Sequence, residues 1–329
     1  MEIKKILVLQ TASIGDVILA TSLIEKLHKD FANYSIDILV KNPNQSLFID
    51  HPFIRKVIVW NKKNGKYKNL FNIIKQVRQE RYTYIFNLQR FLSSGLITVL
   101  AGAKITAGFN KNPLSMCFKI KKSHIIKDGM HEIDRNLLLI EDLCEKERVL
   151  PKLYPSKTDY EKVNIYNKGV YYTLSPSSLW ITKCLSINKW VNVFKHLKED
   201  RYLYLLGSKG DWNLCEEIRK KLNNNNIINL AGELSLLQSA ALMQNARMNF
   251  TCDSSPLHLC SAMNSPVTAV FCSTVKTFGF YPLSDNSVVI ETKENLQCRP
   301  CNLHGKKECP LKHFKCSETI DEKELIARL

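Results

Sequence analysis

Three short stretches of this 329-residue chain carry side chains whose types and spacing suit proton transfer and anion binding. The first is Thr11-Ala12-Ser13-Ile14-Gly15-Asp16, which follows the apolar run Lys5–Leu9 and precedes Val17, Thr21, Ile24 and Leu27 at helical spacing. A carboxylate at Asp16 then stands where a parallel strand gives way to a helix, the edge at which open α/β sheets bind ligands. A helix N-terminus favours its ionised form, which a general base needs before it takes a proton. The same letters also spell a capping box, in which the acid only satisfies a backbone N–H. From this stretch alone the cap is the commoner outcome. The absence of G-x-G-x-x-G removes the dinucleotide fingerprint.

The second stretch, Cys252-Asp253-Ser254-Ser255-Pro256-Leu257-His258, again runs from strand to helix. Ser254 or Ser255 supplies a cap and Pro256 suits the first helical turn, leaving backbone N–H groups for an anion such as phosphate. Asp253 repels phosphate and suits sugar hydroxyls better, and His258 either donates to the anion or packs. The third, Ser175-Pro176-Ser177-Ser178-Leu179-Trp180-Ile181-Thr182-Lys183, offers hydroxyls and one lysine as a diphosphate cradle. A polar turn accounts for the same letters. Gly207-Ser208-Lys209-Gly210-Asp211 is a glycine-rich turn after a strand and a weaker signal.

The elements that must position these stretches alternate. Strands are expected at Lys5–Leu9, Ser35–Val40, Val57–Val59 and Tyr84–Asn87, and helices at Leu70–Glu80, Ser93–Ala101 and Glu132–Cys144. The pattern breaks at Pro151 and Pro155, then resumes from Val170 with further strands at Tyr202–Leu206, Met248–Cys252 and Val267–Phe271. The expected organisation is α/β, with two doubly wound domains at 1–155 and 169–316, a linker at 156–168 and a last helix in 317–329.

Composition is that of a globular protein, with 45% apolar and 24% charged residues. No apolar run approaches about 18 residues, so a membrane span is not expected, and the apolar start reads as a strand and not a signal peptide. The net charge is +16, and residues 1–155 hold 25 basic against 14 acidic side chains. Such a field attracts anions: nucleic acid, a phospholipid surface or a phosphorylated substrate. Of eleven cysteines, Cys117, Cys144, Cys184, Cys215, Cys252, Cys260 and Cys272 are scattered and read as reduced core thiols of a cytosolic protein. The other four, Cys298, Cys301, Cys309 and Cys316, cluster. They read equally as a structural zinc site or as paired or free thiols, since only the first pair has knuckle spacing.

Taken together, Ser13-Ile14-Gly15-Asp16, Asn87-Leu88-Gln89, Leu100-Ala101-Gly102-Ala103-Lys104 with Gly108-Phe109, Thr182-Lys183, Gly207-Ser208 and Asp253-Ser254-x-Pro256-x-His258 resemble the lipopolysaccharide heptosyltransferases, glycosyltransferase family 9. Order and spacing match over nearly the whole chain, which raises Asp16 from a cap to a candidate base. The resemblance implies a GT-B architecture, two Rossmann-like domains facing across a cleft, and inverting transfer without a catalytic metal. It implies Asp16 as general base, with the acceptor held by the first domain. Ser13, Gly15 and Gln89 are the acceptor residues so implied, and Arg90, Lys104, Lys111 and Arg135 are basic candidates for its phosphates. It implies an ADP-sugar donor held by Ser177, Ser178, Thr182, Lys183, Gly207, Glu216, Asp253, Ser254, Ser255 and His258.

The acceptor so implied is an acidic, phosphorylated core saccharide on lipid A, reached by a cytoplasmic enzyme peripheral to the inner face of the inner membrane. Two positions depart from the family: Asn87 stands where an acid is usual, and Cys184-Leu185 replaces a Trp-Pro pair. The competing readings are a relative using another nucleotide sugar or acceptor, and a basic, non-catalytic nucleic-acid-binding protein. No helix-turn-helix, RNP or paired zinc-finger signature supports the latter.

Overall fold

Ile6–Leu9 are fully covered on both faces, the state of a central parallel strand. The computed structural model describes residues 4–62, 65–126 and 128–329. The chain divides into two compact units, Met1–Ile126 with Met130–Tyr154, and a second that contains Pro155–Leu329.

The first unit runs β1 (Lys4–Leu9), α1 (Ile14–Asp30), β2 (Tyr34–Lys41), β3 (Ile54–Trp60), α2 (Lys66–Gln79), β4 (Tyr84–Asn87), α3 (Leu92–Leu100), β5 (Ile105–Phe109), β6 (Ile120–Lys122) and α4 (Glu132–Leu137). Its six strands are all parallel, in the order β3-β2-β1-β4-β5-β6. Connections therefore leave in opposite directions from β1 and β4, opening a ligand crevice at their carboxyl ends.

The second unit begins with α5 (Lys157–Val163) and continues β7 (Tyr171–Ser175), α6 (Ile187–Phe194), β8 (Tyr202–Leu205), α7 (Trp212–Leu222), β9 (Ile227–Asn229), α8 (Leu236–Gln244), β10 (Met248–Cys252) and α9 (Ser255–Ala262). It ends with β11 (Val267–Phe271), β12 (Ser287–Glu291), α10 (Lys315–Glu318) and α11 (Glu322–Ile326). The order β12-β11-β10-β7-β8-β9 repeats the first topology, with the switch between β7 and β10. Trp190 and Phe194 of α6 pack against Phe250 of β10, joining the helical layer to the sheet. The doubly wound α/β class expected from the alternation is thus present in both units.

Several local expectations need correction. Residues 156–168 are not a linker: Ser156 and Asp159 form a capping box that starts α5. Val163 is buried and the Tyr160 hydroxyl donates to Gln244 of α8 at 2.6 Å, so α5 belongs to the second unit. Neighbouring prolines masked the same capping signal that Ser13-x-x-Asp16 displays. The last helix is two short ones, because Asp321 caps α11 afresh while Ser317 lies inside α10. Glu132–Cys144 breaks after Leu137 into a tighter turn, Leu138–Ile140. Strands β5, β6 and β12 escaped the reading because β6 and β12 are partly exposed edge strands and β5 contains Ala107 and Gly108, so none carries the apolar run that marks a buried strand.

At the amino ends of the first sheet's strands, Asp37 is fully buried and ion-paired to Arg55, and accepts from Tyr82 at 2.6 Å. Glu80 joins Lys5, Arg55 and Lys56 there at 3.1, 2.8 and 2.7 Å. This charged clasp lies at the edge opposite the ligand crevice and reads as structural.

Candidate active site

In the first unit, α1 starts as its sequence dictates. Ser13 and Asp16 form the capping box, with the Ser13 N–H and hydroxyl donating to Asp16 Oδ2 at 3.0 and 2.5 Å. Asp16 is half-buried at the carboxyl end of β1, beside the switch point. Cap and accessible carboxylate are therefore the same residue. Gly15 is buried in the first turn of α1.

From the other side of the switch, β4 delivers Gln89, whose Nε2 donates to Gln10 Oε1. Asn87 is wholly buried; it donates to Thr98 at 2.9 Å and accepts from the Gln89 N–H at 2.9 Å. A carboxylate at that place could still accept from the Gln89 N–H but has no N–H to give Thr98, whose own proton goes to the Ser94 carbonyl, so asparagine uses both ends of its amide here. Two residues that the sequence did not flag frame the β1 loop: Lys62 Nζ donates to the Thr11 hydroxyl at 2.9 Å and Asn44 donates to the Ala12 carbonyl at 3.1 Å.

The basic acceptor candidates separate. Arg90 and Lys111 follow β4 and β5 and so lie at the carboxyl edge with Asp16. Lys104 precedes β5, which puts it at the opposite edge, roughly 16 Å away along a five-residue strand. Arg135 is 1% exposed, ion-paired to Glu132 at 2.8 Å and bonded to the carbonyls of Ile125 and Met130. It is a buried structural cation, so Lys104 and Arg135 are withdrawn as acceptor contacts. Sequence could not tell a guanidinium turned inward from one turned to solvent. The downstream Lys122 is likewise committed, to Glu141 and Asp142 at 2.8 and 2.6 Å.

In the second unit the switch point brings together two loops about seventy residues apart in the chain. Lys183 Nζ lies 2.7 Å from Asp253 Oδ2, and the two side chains are 14% and 7% exposed. Thr274, just past β11, donates to the same Asp253 oxygen at 2.6 Å. Ser254 is the N-cap of α9, with Ser255 and Pro256 in its first turn and His258 buried behind them. Its own side chain makes no capping bond to that helix. Ser177 and Ser178 are half-exposed on the β7 loop. Thr182 is buried, and its hydroxyl bonds to Lys306 and Ser273.

Gly207 follows β8, where a Cβ would stand 2.8 Å from the Asp211 Cβ, so the Ser208–Asp211 turn depends on glycine. Glu216 lies on α7 at the same edge, but Arg219 grips it at 2.6 Å; that bond is the chief reason its carboxyl falls to about 2. The arrangement offers a lysine and a helix N-terminus to a diphosphate and an acid to hydroxyls. Ser273 and Thr274 were missed because only their position after a strand end marks them.

All eleven cysteines are free thiols. Cys215, Cys252, Cys260 and Cys272 are buried, whereas Cys117 is exposed and so is not a core thiol. In the C-terminal cluster, burial is the largest influence on Cys309 and pushes its thiol up. Four backbone N–H groups, at Phe314, Leu311, His313 and Lys312, more than reverse it. Cys316 is pushed up to about 11 by burial and by its sulfur neighbours. Among the described residues no three His, Cys, Asp or Glu side chains are arranged to hold a metal.

The family model for glycosyltransferase family 9 (heptosyltransferase) matches residues 70–314. The lipopolysaccharide heptosyltransferase 3 of Escherichia coli is 25% identical over 289 residues, 83% of this chain and 85% of that one. Among solved structures, the E. coli ADP-heptose LPS heptosyltransferase II superposes with a TM-score of 0.80 at 19% identity, covering 98% and 97% of the two chains. The family 9 glycosyltransferase of Veillonella parvula gives 0.82 at 18%, covering 100% and 97%. The fold is the GT-B fold of those heptosyltransferases, and the chain belongs to glycosyltransferase family 9, the heptosyltransferases.

Proposed function

We propose that this glycosyltransferase moves a heptose from ADP-heptose to a phosphorylated inner-core saccharide of lipopolysaccharide, with inversion at the anomeric carbon. Asp16 takes the proton of the acceptor hydroxyl as its oxygen bonds to the anomeric carbon. The bond from that carbon to the diphosphate oxygen breaks on the opposite face, and ADP leaves with the electron pair. General-base help of this kind contributes about 10²- to 10⁴-fold. Lys183 and the N-terminus of α9 face the charge that grows on the diphosphate. Lys183 is paired to Asp253, and in this reading a bound diphosphate takes over the lysine and releases Asp253 to a sugar hydroxyl. The observation that carries this reading is the Lys183–Asp253 contact of 2.7 Å at the second switch point, with Asp16 at the first.

The test is ADP release with ADP-heptose and a heptose-deficient acceptor. Asp16→Ala is expected to lose transfer by at least about 10²-fold while binding ADP as the parent does. Unchanged transfer by that variant rejects the base.

The lipid-borne acceptor adds an anionic membrane surface as partner, which the first unit suits. Residues 51–127 contain 16 Lys and Arg and one acid, Glu80. Helix α2 contains no acid, and Tyr67 and Phe71 on its outer face are 82% and 71% exposed beside exposed Lys68, Lys75 and Arg78. Aromatic rings between basic side chains favour a membrane interface. No described helix is long and apolar enough to cross a membrane.

A further inference from the structure

Thr182 stands next to Lys183, and the family resemblance counts it with the donor contacts. Its hydrogen bonds say otherwise. A threonine hydroxyl has one proton to give and two lone pairs. Thr182 Oγ1 accepts from the Lys306 N–H at 2.8 Å and from the Ser273 hydroxyl at 3.0 Å, and donates to the Lys306 carbonyl at 3.1 Å. All three capacities are used, and the residue is 1% exposed.

The loop that takes these bonds is itself braced. The Cys301 N–H donates to the Ser273 carbonyl at 3.0 Å, and Arg299 donates to the carbonyls of Cys272 and Thr274 at 2.6 and 2.7 Å. Gly305, at φ +78°, sits tightly against the lysine stem: a Cβ there would lie 3.1 Å from both Lys183 Cγ and Thr182 Oγ1, so a side chain would strain the backbone and push these neighbours by a few tenths of an ångström. Ser273 and Thr274 are adjacent, so one short segment after β11 holds Thr182 through the first hydroxyl and Asp253 through the second.

We propose that Thr182 is a positioning residue that touches no donor atom, and that the cysteine-flanked loop at Gly305–Lys306, locked to it, sets Lys183 for the diphosphate. The proposal rests on the donor seat described above. A loop that packs on the lysine stem fixes where the ammonium points, so loosening it weakens diphosphate binding more than it slows the bond change.

The experiment compares Thr182→Ser, Thr182→Val, Ser273→Ala and Gly305→Ala in ADP calorimetry, donor and acceptor KM, kcat, and amide exchange of the peptide containing Thr182 and Lys183. Thr182→Ser keeps the hydroxyl and is expected within about threefold of the parent throughout. Thr182→Val and Gly305→Ala are expected to raise the ADP Kd and donor KM about tenfold, the effect of one unsatisfied or crowded polar contact. Their kcat and acceptor KM should stay within about threefold. Ser273→Ala, the mildest change, should shift donor KM the same way and serves if the valine variant does not fold.

A kcat loss at constant donor KM would mean that the hydroxyl acts on the reacting atoms and would overturn the assignment. So would Thr182→Ser failing as badly as Thr182→Val, or Thr182→Val behaving as the parent. A parent protein that binds no ADP overturns the donor-seat reading instead. The lock is then judged by exchange alone, which must quicken in Thr182→Val and not in Thr182→Ser.

Discussion

The Lys183–Asp253 pair should behave as a coupled unit in stability before any substrate is added. At 2.7 Å and an effective dielectric near 20, its Coulomb attraction is roughly 6 kcal/mol. Most of that offsets the cost of taking both charges out of water. Truncating one partner, however, leaves the other buried without its counter-ion, a loss of about 3 kcal/mol at these exposures. Lys183→Met is therefore expected to destabilise the second unit by about 3 kcal/mol, with Asp253 keeping only the Thr274 hydroxyl. Asp253→Leu should cost a similar amount.

The double variant should cost about 0–1 kcal/mol, not the roughly 6 kcal/mol of two independent losses, because removing both charges removes the penalty of an unpaired one. Equilibrium guanidinium unfolding reads this directly. Three of the four tryptophans, Trp180, Trp190 and Trp212, lie in the second unit, so fluorescence reports mainly on it. Single-variant losses that add to within about 0.5 kcal/mol in the double variant would show no coupling. They would also remove the argument that the diphosphate inherits a lysine held in reserve.

Two further outcomes are expected. The hydrogen bond from Lys56 is the largest influence on Glu80, burial works against it, and Arg55 and Lys5 add to the lowering, which leaves its carboxyl at about 2. Its clasp therefore contributes stability above the unfolded value near 4.5 that is lost as pH falls toward 2. Lys5, Arg55 and Lys56 are 26%, 36% and 37% exposed, so solvent screening reduces the contribution to about 1 kcal/mol. Glu80→Gln should flatten acid-unfolding curves in that window, and a parallel curve would exclude the clasp. On the outer face of α2, Tyr67→Ser with Phe71→Ser should weaken co-sedimentation with anionic phosphatidylglycerol vesicles about tenfold. Transfer to a soluble acceptor fragment should be unchanged, and equal vesicle binding by parent and variant would reject that face.

Features whose hydrogen bonds close within three or four residues were legible in the sequence. The start of α1 at Ser13 and Asp16, the strand–helix step at Cys252–His258 and the two doubly wound halves followed from local letters and hydrophobic period. Local letters marked Asp16 as a capping acid at a strand end, and the resemblance of motifs over nearly the whole chain raised it to a candidate base. Tertiary structure decided everything that depends on which strands lie side by side. Parallel pairing of β7 with β10 brought Lys183 to Asp253, and β11 added Ser273 and Thr274, which no spacing linked to either. In the first unit, parallel pairing of β4 with β5 put Lys104 at the edge opposite Asp16, while inward packing against Glu132 consumed Arg135. Local pattern sets the conformation of a segment at little entropic cost, whereas contacts across seventy residues exist only once the sheet has chosen its order.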